Sequence, residues 1–168
     1  MKPLNYLNSY PQAVQDKVST LLNERRLANY LTNKYPNVHQ INNNDLLREY
    51  VLDIKNRFLK KSAPLSQICF DNKIHVINNA LGLHTYRSKV HGNKIKAKND
   101  IKIASLFKAT PEPFLQMIAV HELAHLKEKE HNKAFYQLCQ HMMSDYHQVE
   151  FDLRVYLLEC EHHGDPYL

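Results

Sequence analysis

Three glycines in 168 residues are too few for a glycine-rich phosphate loop or a turn-dense all-β barrel. Cysteine is equally scarce. Cys69, Cys139 and Cys160 are odd in number, far apart and without Cys-x-x-Cys spacing. They read as reduced, partly buried thiols in a reducing compartment rather than as a disulfide framework. No apolar run approaches the ~20 residues of a membrane span. The opening Met1-Lys2-Pro3-Leu4-Asn5-Tyr6 lacks the apolar stretch of a signal peptide. Repeats and low-complexity segments are also missing. A soluble, cytoplasmic protein is the expectation.

What is present suits a helix-rich globular chain. Hydrophobic residues make up 43% and charged residues 23%, enough for a real core without disulfides. The length fits one domain, or a core domain with a helical appendage. A net charge of +5, with eleven histidines in reserve, permits an anionic partner without demanding one.

The pattern divides the chain into an N-terminal helical region, residues 1–62, and a second region, 63–168, expected to form one compact unit together. In the first, Val14, Val18, Leu21, Leu22, Ala28 and Leu31 recur at helical spacing behind Pro11. Asn44 is placed to cap a second helix striped by Leu47, Tyr50, Val51, Ile54 and Phe58. Ala63-Pro64 closes it. From 65 to 108 the period falls to two, through Ile74, Val76, Lys94-Ile95-Lys96-Ala97-Lys98, Ile101 and Ile103. His91-Gly92-Asn93 and Asn99-Asp100 offer turn chemistry between short antiparallel strands. Helix returns at Thr110-Pro111-Glu112, a hydroxyl cap, a proline and an acid in starting order. Further helices are expected from Asn132 and over about 147 to 160. The fold class is α+β.

The chemistry concentrates in HELAHLKEKEH, residues 121–131. Side chains four apart on an α-helix lie about 40° apart around the axis and about 6 Å apart along it. His121 and His125 can therefore grip one zinc ion from adjacent turns. Glu122, about 100° round from His121, is better placed to take a proton from water than to bind metal. The apolar run Met117-Ile118-Ala119-Val120 leads straight into the motif, as a buried active-site helix requires. A solvent-facing helix with Lys127, Glu128, Lys129 and Glu130 in mutual ion pairs is the plainer alternative. It leaves the apolar run and the third histidine unexplained.

His131 needs its own argument. On a continuous helix, six residues past His125 would swing it about 240° away from the metal. The helix must end near Lys129, although no glycine or proline between 126 and 131 forces that end. Asn132 could cap the next helix and turn the chain. On geometry alone, Glu150 and Glu159 remain rival third ligands.

The segment Val120-His121-Glu122-Leu123-Ala124-His125-Leu126, with His131 and Phe135-Tyr136 after it, resembles the YgjP-like metallopeptidase family. It is more distantly similar to SprT-like and WLM-type proteases. The shared pattern is H-E-L-x-H-L-x-x-x-x-H-x-x-x-F-[WY], specific here over residues 111–136 and plausible back to about 94. The resemblance implies a zincin-like core, with a short antiparallel sheet beside the metal helix. It also implies Zn²⁺ on His121, His125 and His131, and Glu122 as base. Two departures matter. Leu83-His84-Thr85-Tyr86-Arg87-Ser88 and a lysine ladder replace the family's Gly-Ser-Cys segment, and the N-terminal helical region is less recognisable.

Three functions follow. The first is zinc-dependent hydrolysis of a peptide amide bond, with Glu122 as general base. The second keeps the metal and changes the substrate to a nucleoside triphosphate. Some members of the resembling family are assigned as uridine-triphosphate pyrophosphatases, and Arg87, Lys89, Lys94, Lys96, Lys98 and Lys102 could hold phosphate. The third is a non-catalytic zinc-stabilised module docking on nucleic acid or protein, though a nucleic-acid groove would usually add more aromatics than Tyr86. Weaker signals are His84 and His91 for an oxyanion, Tyr136 and Tyr146 as donors to a tetrahedral intermediate, Met142-Met143 under the metal, and His162-His163 as a disordered end.

Overall fold

The computed structural model describes residues 5–74, 82–91 and 94–168; along 82–91 and 94–98 only the backbone is described. The fold is α+β. Its N-terminal apolar stripe, expected as one helix, is broken into α1 (Gln12–Asn23) and α2 (Leu27–Lys34). The break is a left-handed residue, Arg25, with φ 56°. Arg26 N–H donates to Leu21 O at 2.8 Å and Arg25 N–H to Leu22 O at 3.0 Å. This pair of bonds is the Schellman ending, which usually employs glycine where Arg25 stands, so no sequence signal marked it. Arg25→Gly should therefore raise the urea midpoint, by about 0.5–1 kcal/mol of stability, because it removes the Cβ strain at positive φ.

The helix α3 (Asn44–Phe58) buries Leu47, Val51 and Ile54 as its stripe predicts. Its cap is Asn43 rather than Asn44: Asn43 Oδ1 accepts from Leu46 N–H at 2.9 Å. Asn44 Oδ1 instead accepts from Phe70 N–H at 2.9 Å, tying the helix start to the first strand.

That strand is β1 (Leu65–Asp71), followed by β2 (Gly82–His91) and β3 (Lys94–Ala104), in the order β1-β3-β2. The expected antiparallel sheet is corrected here. Only β2 and β3 pair antiparallel, whereas β1 joins β3 in parallel. Parallel entry is possible because β1 reaches β3 from the far side of a crossover rather than through a hairpin. Ile74 lies beyond β1, and Val76 lies outside the described residues. Asn99-Asp100, expected as a turn, runs through the middle of β3 and is buried. The register there slips by one residue, Leu65 facing Asn99 and Gln67 facing Asp100, so a polar pair marks a bulge.

A 3-10 turn over Ser105–Ala109 leads into α4 (Glu112–Ala124). Thr110 does not cap it. The flanking residue is Pro111, and the Thr110 hydroxyl bonds back to Phe107 O at 3.4 Å. Phe114, Leu115, Met117, Ile118, Ala119, Val120, Leu123 and Ala124 are all buried, so α4 is apolar on nearly every side and lies at the centre. It packs on α3, β2, β3 and the two C-terminal helices, α5 (Lys133–Met142) and α6 (Tyr146–His163). His162 and His163, expected as a loose end, complete α6; their Nδ1 atoms bond Leu158 O and Glu159 Oε2. Met142 and Met143 fill the core. Among the described residues no helix is long and apolar enough to cross a membrane.

Candidate metal centre

The helix α4 ends earlier than its sequence suggests, at Ala124, with His125 as its C-cap. Leu126 N–H and Lys127 N–H bond three residues back, to Leu123 O and Ala124 O at 3.0 Å each, so the chain tightens and leaves the helix axis. Glu128 O, exposed by that turn, takes a bond from His125 Nδ1 at 2.9 Å. The chain then folds sharply back: Asn132 N–H donates to Glu130 O at 2.8 Å, a three-residue turn centred on His131. Asn132 Oδ1 accepts from Phe135 N–H at 2.9 Å and starts α5.

These local events bring His131 over the end of α4. His121, His125 and His131 form a group able to hold a metal, each offering a ring nitrogen within 4.8 Å of the others. Their ring centroids stand 5.1, 4.9 and 4.9 Å apart. His125 Nε2 and His131 Nε2 lie 3.1 Å apart. Two nitrogens on one tetrahedral zinc, each at about 2.0–2.1 Å, are separated by about 3.3–3.4 Å, so the observed pair fits. Glu150 and Glu159, the rival ligands, are engaged elsewhere. Glu150 pairs with Arg154 at 3.3 Å, and Glu159 with His163 at 3.1 Å.

The electrostatics suit metal binding. Burial, then the neighbouring His125, His131 and Arg154, push the His121 imidazole down to about 3. Burial also lowers His125, against the opposing bond to Glu128 O. Both rings are therefore neutral at pH 7, with lone pairs available to a cation. Glu122, next along the helix from His121, is 3% exposed.

In the sequence Phe135 reads as an apolar position of the helix after Asn132 and as part of the family pattern, not as a neighbour of the histidines. Its buried ring lies 4.9, 4.7 and 4.8 Å from the centroids of His121, His125 and His131. It closes one side of the triangle, so a fourth ligand must arrive from the other. Tyr146 belongs behind the site, not in front of it as a donor to a reacting oxygen. It is fully buried, with its hydroxyl 2.7 Å from His121 Nδ1. Tyr136 is half-buried, its ring 6.4 Å from that of His131. The side chains of His84, Arg87, Lys89, His91, Lys94, Lys96 and Lys98 lie outside those described, whereas Lys102 pairs with Asp71 at 3.6 Å.

The family described as YgjP-like, metallopeptidase domain, matches residues 15–156. A protein of Escherichia coli (strain K12) described as UTP pyrophosphatase is 54% identical over 159 residues, spanning 95% of this chain and 95% of its own. No solved structure matches the chain.

Proposed function

The chain belongs to the YgjP-like metallopeptidase family, and from that premise we propose that it is a zinc-dependent hydrolase of nucleoside triphosphates. Water attacks the α-phosphorus, the bridging bond to the β-phosphate breaks, and pyrophosphate leaves with its electron pair. Glu122 takes the proton from the attacking water. Zinc held there would supply Lewis acidity, favouring deprotonation of water and offsetting charge on a phosphoryl oxygen. His121, His125 and His131 would hold it, and Phe135 packs against all three rings.

The choice of substrate rests first on the likeness, over 95% of the chain, to the E. coli protein described as UTP pyrophosphatase, and the register of β2 against β3 adds facing basic residues. Arg87 faces Lys98, Lys89 faces Lys96, and His91 faces Lys94. Residues directly opposite in an antiparallel pair share a face, and like charges so placed destabilise the sheet. A polyphosphate laid along that face offsets the repulsion. The description of the E. coli relative as a UTP pyrophosphatase supports the same reading.

Amide-bond hydrolysis is the second reading, favoured by the family's metallopeptidase description. The same zinc and the same base serve either electrophile. Zinc-loaded protein incubated with UTP should release UMP and pyrophosphate in equal amounts. Changing Lys94, Lys96 and Lys98 together to Glu should raise KM for UTP at least tenfold, since each lost charge-assisted contact is worth about 1.5–3 kcal/mol. Cleavage of an unstructured peptide without UTP turnover would favour the amide reading instead, and an unchanged KM would remove the ladder from the site.

A further inference from the structure

The positive charge of this chain is not spread evenly along it. Of its 22 basic residues, Arg87, Lys89, Lys94, Lys96 and Lys98 stand within positions 82–98, where no acidic residue occurs. The rest of the chain carries 17 basic against 17 acidic residues. The whole net charge of +5 therefore resides on β2 and the start of β3.

Strand pairing gathers that charge on one face. The strand β1 pairs with β3 from Asn99 to Ala104; before Asn99, β3 pairs only with β2 among the described residues. Over this stretch the sheet is a two-stranded ribbon, with Arg87 opposite Lys98, Lys89 opposite Lys96 and His91 opposite Lys94. Residues opposite one another share a face, and alternate residues return to it. All six therefore belong to one face, and Ser88, Val90, Ile95 and Ala97 belong to the other. Lys94 to Lys98 spans about 13 Å at ~3.3 Å per residue. That is longer than a triphosphate, whose three phosphorus atoms are joined through two bridging oxygens. The face also offers more basic positions than a triphosphate has phosphates.

We propose that this ribbon docks on double-stranded DNA, its basic face set against the phosphates that border the major groove. That groove admits a two-stranded ribbon, and lysines placed along it release condensed counterions whatever the base sequence. Single strands are a poorer fit, because proteins that bind them usually supply stacking aromatics and this stretch has only Tyr86. Duplex RNA is excluded by shape, since its major groove is deep and narrow. The inference goes beyond hydrolysis and needs neither zinc nor a choice of substrate.

Fluorescence anisotropy of a short labelled DNA duplex, titrated with the full-length protein at several salt concentrations, is the test. Five lysine and arginine contacts give a slope of about −4.5 in log affinity against log salt. Affinity should then fall about 500-fold between about 50 and 200 mM salt. Changing Lys89, Lys94 and Lys96 together to Gln should cut the slope to about −1.8, a fall of only about 12-fold over the same range. Changing the same three to Arg keeps the charge and should preserve the wild-type slope. No saturable binding at about 100 µM protein in low salt would overturn the proposal. The lysines would then be charges that keep a sheet edge from pairing with other chains. A wild-type slope in the Gln variant, or binding lost equally in the Arg variant, would overturn it too, as would duplex RNA bound as tightly as DNA. UTP turnover by the same samples is a separate result: its absence would end the proposed hydrolysis and leave the duplex measurement standing.

Discussion

Glu122→Gln is expected to leave zinc bound and lower kcat for UTP by about 10²–10⁴-fold, the range a positioned general base contributes. The side chain is 3% exposed and follows directly after His121 on α4, so the amide isostere fits the same space. What disappears is the basic oxygen that takes the proton from water. KM should change little, because the loss falls on the transition state rather than on binding. Steady-state kinetics together with zinc stoichiometry of the same sample decide it. A variant with half the wild-type kcat and full zinc would show that Glu122 is not the base, for either electrophile.

The second large effect lies away from the chemistry. Asp152 on α6 is fully buried and binds four groups: Tyr30 Oη at 2.7 Å, Lys34 Nζ at 2.6 Å, Tyr35 Oη at 2.6 Å and Gln148 Nε2 at 3.3 Å. Three of these come from α2 or its C-cap, so one carboxylate clamps the N-terminal helices to the last helix. Removing one partner of a buried pair typically costs 3–5 kcal/mol. Lys34 is 37% exposed and can recover hydration, which places Asp152→Ala near the lower end, about 3 kcal/mol. Urea denaturation of the metal-free protein measures this without interference from bound zinc. A loss below about 1 kcal/mol would mean that the tyrosine and lysine donors find water without cost.

The clamp had no signature in the chain. Tyr30, Lys34 and Tyr35 are separated from Asp152 by more than a hundred residues, and an aspartate beside Glu150 and Arg154 on a mixed helix reads as a surface residue. Tyr146 was legible only as a candidate donor to a reacting oxygen; its place behind His121 follows from the packing of α6 against α4. The left-handed Arg25 was hidden for a different reason, since an arginine carries none of glycine's conformational preference.

By itself the sequence determined the parts that depend on local periodicity and chemical type. These are the apolar α4, the four-residue spacing of His121 and His125 with Glu122 between them, the Asn132 cap, and the reversal from helix to strand and back. A helix repeats every 3.6 residues, so four-residue spacing becomes spatial adjacency with no help from the rest of the chain. Tertiary structure alone decided where α4 stops, how β1 joins β3, and how the imidazoles are held. Each of these depends on a bond between residues distant in the chain or on a turn held by its surroundings. His131 lies between the two cases: its identity was legible, but its arrival at the metal centre required the chain to leave the helix at Ala124 and double back.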